Sequence, residues 1–337
     1  MNNPSLLRFA LVIAGLQFSP AAQAADPSAG LLLVANKGDG TLSLVDSVTE
    51  KQVAVVKEDG ITGHEVAVSP DGKRAFVPIY SSAGVGQKGT DGQLIRVIDL
   101  GTRSIVATID FGKGMRPHRP VFGPKDGLLY VTTELNQSVS IIDPATLAII
   151  GSIPTGEAES HMLAISGDGR RGYTANVRSG TVSVLDLQSR TLVATVPVAP
   201  RVQRISISAD GKWAFTADET AARIAVIDTS TNSVSASIPL PGVAFGTTPT
   251  PDGKWLLITL PALRMVAVAD LSTMRVVKTL EVPKAPQEIL VRPDGAVAYV
   301  SCDAAAQVAV IDLAHWKVEN LISVGPVDDG LAWTPGS

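Results

Sequence analysis

The stretch GHEVAVSPDG, residues 63–72, decides how this chain reads, because the sequence says it again and again. It returns as PHRPVFGPKDG from Pro117, SHMLAISGDG from Ser160 and VQRISISADG from Val202. Weaker copies follow: AFGTTPTPDG from Ala244, PQEILVRPDG from Pro286 and a clipped DDGLAWTPG from Asp328. Aligned on the turn, one slot near the start of each copy reads His64, His118, His161, Gln203, Phe245, Gln287 and Asp329, at steps of 54, 43, 42, 42, 42 and 42 residues. A fixed period of this size sets the architecture before any local reading does.

Working outward, each copy is followed by the same phrase. Examples are LLYVTTELNQSVSIID from Leu128, GYTANVRSGTVSVLD from Gly172 and WAFTADETAARIAVID from Trp213. These are alternating, β-branched runs broken by Gly/Asp turns, and each ends in a Thr/Ser-rich turn and one more strand such as TLVATVPV. One unit is therefore four short antiparallel strands with no helical period. Such units at a 42-residue spacing predict a β-propeller, which leaves only short, protected edges. The first unit lacks its innermost strand and the chain ends with a surplus one, residues 330–334. The predicted fold is thus all-β, a seven-bladed propeller in which the two ends of the chain share one blade; an open row of blades would expose unpaired edges.

The SPDG turns and the strands Tyr130-Val131-Thr132-Thr133 and Tyr299-Val300-Ser301-Cys302 resemble the YVTN-type bacterial propeller repeat. That resemblance spans nearly all of residues 25–337 and implies the fold. It leaves function open, since such repeats occur in lactonases, in heme-binding propellers of the denitrification kind and in proteins without an assigned activity.

Residues 1–24 read as a secretory signal: Arg8 precedes a short apolar run, and Ala22-Gln23-Ala24 is a small-residue cleavage site. Residues 25–337 are then one exported domain, expected in the periplasm and as a monomer. No later stretch reaches the roughly 18 unbroken apolar residues of a membrane span. A formal net charge of −4 with no Lys/Arg block speaks against nucleic acid. Cys302 is the single cysteine, so no internal disulfide is expected.

The aspartates of the repeated turns (Asp71, Asp126, Asp168, Asp210, Asp252, Asp294) read as turn chemistry. So do those closing the third strands, such as Asp46 and Asp186; calcium is the lesser reading, since they come one per blade.

The histidines are different. His64, His118 and His161 occupy one slot in three consecutive blades, where the innermost strand begins beside the axis, while His315 lies outside the pattern in a surface turn. Three imidazoles there suit a transition metal (zinc or copper) or a heme iron. The competing reading follows from alternation, which puts each with large apolar residues and points it at the adjacent blade. Arg116, Arg119, Arg201 and Arg204, just before or after the slot, form a candidate clamp for carboxylates. The His64 blade also carries the only long second-to-third strand connection, residues 79–93, whose Gly-rich segment 81–92 suits a lid on the same face.

The leading expectation is a periplasmic binding or scaffold propeller that takes a small molecule or protein partner at a histidine-bearing mouth. The alternatives are a metal- or heme-dependent oxidoreductase using the three histidines, and a lactonase-type hydrolase.

Overall fold

The computed structural model describes Met1 and residues 29–336, so the expected signal segment lies outside the described residues. Seven four-stranded antiparallel sheets are arranged as blades around one axis. Six of them run in chain order from the innermost strand outward. The seventh is built from both ends: the strand Asp328–Pro335 pairs with Gly30–Asn36, which continues into Thr41–Asp46 and Lys51–Lys57. The register sets Leu33 opposite Ala332 and Val34 opposite Leu331. The fold is the seven-bladed propeller that the repeat predicts, closed as expected. Among the described residues no helix is long and apolar enough to cross a membrane.

Burial follows strand position. The second and third strands of each blade face a neighbouring blade on both sides, so they are buried almost throughout, as in Trp213–Asp218 and Arg223–Asp228. The outermost strands bury at most one residue each, such as Ile238 in Ser233–Pro239. Blade-to-blade contacts are apolar: Phe215 and Ile224 of one blade pack with Ile258 and Leu260 of the next. Fully burying one such side chain stabilises the ring by about 1.5–3 kcal/mol.

The repeated turns tie the first strand to the second on the face away from the histidines. Ser69 Oγ donates to Asp71 Oδ1 at 2.6 Å, Asp71 accepts from the Lys73 amide at 3.1 Å, and Gly72 takes the left-handed φ of +71° that closes the turn. The same hydroxyl–carboxylate pair recurs at Ser166/Asp168, Ser208/Asp210 and Thr250/Asp252. Asp46 likewise accepts from the Thr49 amide at 2.7 Å after its third strand. These acids serve turns, as their spacing indicates.

At the opposite face the innermost strands break register at the slot. The irregularity falls between Pro117 and Pro120, Ser160 and Met162, Gln203 and Ile205, and Pro286 and Ile289. A bulge adds a residue that the partner strand does not match, so side-chain alternation fails locally. Thr132 Oγ1 accepts from the freed Arg119 amide at 2.9 Å, and Ser301 Oγ from that of Glu288 at 3.0 Å. Two consecutive residues per blade are thereby delivered to the axis.

Candidate functional site

The slot residues converge. His64, His118, His161, Gln203, Phe245 and Asp329 line one cavity of about 230 Å³ at the mouth of the channel. Gly84, Val85 and Gln87 from the long connection close it from above. The expected lid segment therefore lies over the expected histidines.

The three imidazoles gather around Tyr80, whose ring centroid is 4.8 Å from those of His64 and His118 and 5.4 Å from that of His161. His118 and His161 are stacked at 3.6 Å, and His64 meets His118 edge-on at 5.6 Å. His118 Nδ1 lies 3.2 Å from the carbonyl oxygen of His161 on the next blade. His161 Nδ1 lies 3.2 Å from Glu134 Oε2. A carbonyl and a carboxylate only accept, so both Nδ1 atoms carry a proton. Neither Nε2 has a hydrogen bond among the described residues, and both rings line the cavity. Burial, aided by neighbouring positive groups, holds His118 well below the usual imidazole range. Burial lowers His64 to about 3 against the pull of Asp329. Both are neutral near pH 7, with lone pairs available. The expectation that each histidine points at an adjacent blade holds for the Nδ1 edges of His118 and His161.

Glu134 holds this cluster from behind. It is 3 % exposed and accepts the Tyr80 hydroxyl at 2.5 Å and His161 on one oxygen, and Arg116 Nη1 at 3.3 Å on the other. Burial pushes its pKa up, but His161, Tyr80 and Arg116 outweigh this and leave it below the usual carboxylate range.

Below the histidines the next residue of the bulges builds an ionic plug across the axis. Arg119 Nη1 meets Glu288 Oε1 at 2.6 Å and also Glu65. Arg204 meets Glu65 at 3.0 Å, Glu288 at 3.2 Å and Asp329 at 2.5 Å, and Asp329 also takes Lys37 at 3.0 Å. Burial and the adjacent Glu288 push Glu65 up to about 8, against Arg119 and Arg204. Burial would raise Asp329 too, but Lys37 and Arg204 hold it at about 2. A buried network like this stands only because every charge has a partner.

The four arginines proposed as an anion clamp are thus all engaged. Arg119 and Arg204 belong to the plug, and Arg201 pairs with Glu219 at the rim. Arg116 donates Nε to Asp91 at 2.6 Å and Nη2 to the Gln87 carbonyl at 2.7 Å, so it grips the lid. The structure does not bring the four together on one free anion position.

Tyr80, Glu134 and Lys37 were missed from the sequence, although a signal exists. The residue directly after the second strand reads Lys37, Glu134, Val177, Glu219, Pro261 and Asp303 in six blades, and Tyr80, inside the longer strand Arg74–Ser81, holds the matching place in the other. This second ring is mostly polar where the strand before it is apolar, and it meets the first at Lys37 with Asp329 and Glu134 with His161, while Glu219 takes Arg201, two residues before the slot. Asp303 joins it through Lys37 at 3.4 Å.

Fold and site together define a seven-bladed propeller with a lidded, histidine-lined mouth over a plugged channel. Its sequence matches the cytochrome D1 heme domain family over residues 122–285, a stretch that includes His161, Gln203 and Phe245 but not His64 or His118. No curated protein matches the sequence significantly. Among solved structures, hydrazine synthase from Kuenenia stuttgartiensis is similar at 19 % identity and a TM-score of 0.73, over 89 % of this chain and 99 % of that one. Dihydro-heme d1 dehydrogenase NirN in complex with DHE is similar at 15 % identity and 0.66, over 94 % and 77 % respectively. A protein of unknown function from Desulfotomaculum acetoxidans DSM 771 follows at 14 % identity and 0.75, over 91 % and 99 %. At these identities the structural likenesses establish the fold.

Proposed function

We propose that the protein is an exported binding propeller whose ligand site is the histidine mouth, and that its ligand is a heme-type tetrapyrrole. The observation that carries this reading is the convergence of three imidazoles, two with Nδ1 occupied and Nε2 free, in one lidded cavity. The family match and the likeness to a dihydro-heme d1 dehydrogenase support the choice of ligand class. Export rests on residues 1–24 of the sequence.

The donor set fits the group. Neutral imidazoles are ordinary axial ligands of heme iron, and His161, with a carboxylate on its far nitrogen, is the best oriented. The cavity of about 230 Å³ is smaller than a macrocycle, but Gln87 of the lid also lines a second cavity of about 540 Å³. Displacing the lid at this residue joins the two spaces. When bound, the iron supplies ligand-binding or redox chemistry. The chain would hold it through His161, with His118 and His64 lining the pocket beside it, and its plug closes the floor of the site.

A bare zinc or copper ion is less well supported. No group of three or more His, Cys, Asp or Glu among the described residues is arranged to hold a metal ion, and the parallel stack of His118 and His161 resists convergence of their lone pairs on one point. The test is titration of the purified, untagged protein with hemin, followed by its Soret band. One equivalent should bind, and His161→Ala should abolish most of it. An unsaturable titration that is the same for both proteins would overturn the reading.

A further inference from the structure

The histidine cluster, the buried carboxylate behind it and the lid are separate in sequence but continuous in space. Glu134 receives His161 Nδ1 at 3.2 Å and Tyr80 at 2.5 Å. Arg116 reaches Glu134 with Nη1 at 3.3 Å, the Gln87 carbonyl with Nη2 at 2.7 Å and Asp91 with Nε at 2.6 Å. All the groups of one guanidinium that can be shared are divided between the lid and the carboxylate. Arg116 itself is 5 % exposed and sits at φ +49°, a backbone conformation that a non-glycine residue holds only where its surroundings fix it. Gly86, at φ +72° on the lid, lies where a Cβ would come 2.7 Å from Glu159 Oε1, so the closed lid fits closely against the blade.

We propose that Glu134 is the positioning residue of the ligand site, presenting His161 Nε2 to the cavity, and that Arg116 is a latch that makes this orientation conditional on the lid being closed. The inference rests on the reading of His161 as the ligand-bearing residue. Its physical basis is that a histidine ligand is oriented and made more basic by the carboxylate on its second nitrogen. A carboxylate buried this deeply keeps its place only while its cationic partner stays. When the lid lifts, Arg116 loses the Gln87 carbonyl and Asp91, and Glu134 loses its fixed partner. His161 is then free to turn or to change tautomer. Lid closure and ligand orientation are in this way one event. A merely structural ion pair would tie Arg116 to the lid without reaching His161.

The experiment uses the full-length mature protein without ligand. Nitrogen-15 NMR of the imidazoles reads the His161 tautomer, and hydrogen exchange reads the opening of residues 84–90. The wild type should show His161 protonated on Nδ1 alone. Glu134→Gln, which keeps the shape and removes the charge, should give both tautomers. Arg116→Ala, which does not touch His161, should raise exchange in the lid about tenfold or more and shift His161 in the same direction. Arg116→Lys should restore part of both effects. If Arg116→Ala loosens the lid and leaves His161 as in the wild type, the latch is refuted. If Glu134→Gln leaves the tautomer unchanged, the positioning role is refuted. Hemin is a separate arm: a wild type that binds none defeats the tetrapyrrole reading alone. A wild type that binds, with the same Soret maximum and reduction potential in Glu134→Gln, defeats the positioning role alone.

Discussion

Closure of the ring makes a demanding prediction. The strand Asp328–Pro335 is the inner strand of the blade that begins the chain, and its contacts can be weighed singly. Leu331 is 2 % exposed and packs with Leu32, Val34, Tyr299 and Val308. Cutting it to Ala should cost about 2–5 kcal/mol. At about 2–4 °C per kcal/mol for a domain approaching this size, the melting temperature should fall by roughly 5–15 °C. Deleting residues 328–337 does much more. It removes the apolar contacts of Leu331 and Ala332 and strips Gly30–Asn36 of its partner. It also takes Asp329 from Arg204, which leaves a buried cation short of one partner at about 3–5 kcal/mol. Together these losses approach the whole stability of a typical domain, about 5–15 kcal/mol. Thermal melts followed by circular dichroism, with size-exclusion chromatography, measure both variants. The truncated protein should aggregate or lack a cooperative transition, and a synthetic peptide of the missing residues should restore one. A truncated monomer that melts within a few degrees of the intact chain would refute the shared-blade argument.

Three further outcomes follow. Burial and the nearby Asp39 raise Glu58 from the usual 4.5 to about 7, against the Gly63 amide and Arg96. A raised carboxyl gives its full contribution below the unfolded value and loses it as pH rises through 7, so Glu58→Gln should gain up to about 3 kcal/mol on the wild type between pH 5 and pH 8, by urea unfolding. A flat difference would be wrong for this mechanism. Replacing residues 82–90 by a two-residue turn should shift melting by only a few degrees, because loop length costs little, while changing the rate of hemin binding; an unchanged rate would strip the lid of its role. Gly330→Ala puts a Cβ 2.6 Å from Glu65 Cα and the His64 oxygen, both backbone atoms, so it should cost about 1–3 kcal/mol even though Gly330 bears no side chain.

The fold was legible because it is repetitive: strand alternation, turn chemistry and the 42-residue step all point to one answer, and the surplus strand at the end tells how the ring shuts. The slot was legible for the same reason, and its histidines do meet. What could not be read was direction. Period-two alternation assigns neighbouring residues to opposite faces, but the bulges at His161 and Arg204, and around His118 and Glu288, turn successive residues toward the axis. That is why His118 and Arg119, adjacent in sequence, serve different parts of the site. Partners were equally hidden. A lone arginine looks like an anion clamp until Glu65, Glu288 and Asp329 arrive from blades 54 to 169 positions away in sequence, the extremes being Arg119 with Glu65 and with Glu288. Glu134 shows the limit most clearly. Within TTELN it reads as an unremarkable polar turn, and nothing local says that it lies behind an imidazole of the next blade. Its significance comes from the same period carried one register further. The residue at the end of the second strand meets the slot at two places, Lys37 with Asp329 of its own blade and Glu134 with His161 of the next, so two rings that look independent along the chain touch at the mouth. Three imidazoles became neighbours because consecutive blades place one slot side by side. One of them gained a carboxylate partner because the second ring happens to put Glu134 beside it, where its neighbours in that ring put Tyr80 and Val177. The asymmetry of this nearly symmetric ring is the reason we propose the His161 side as the place where a ligand is held.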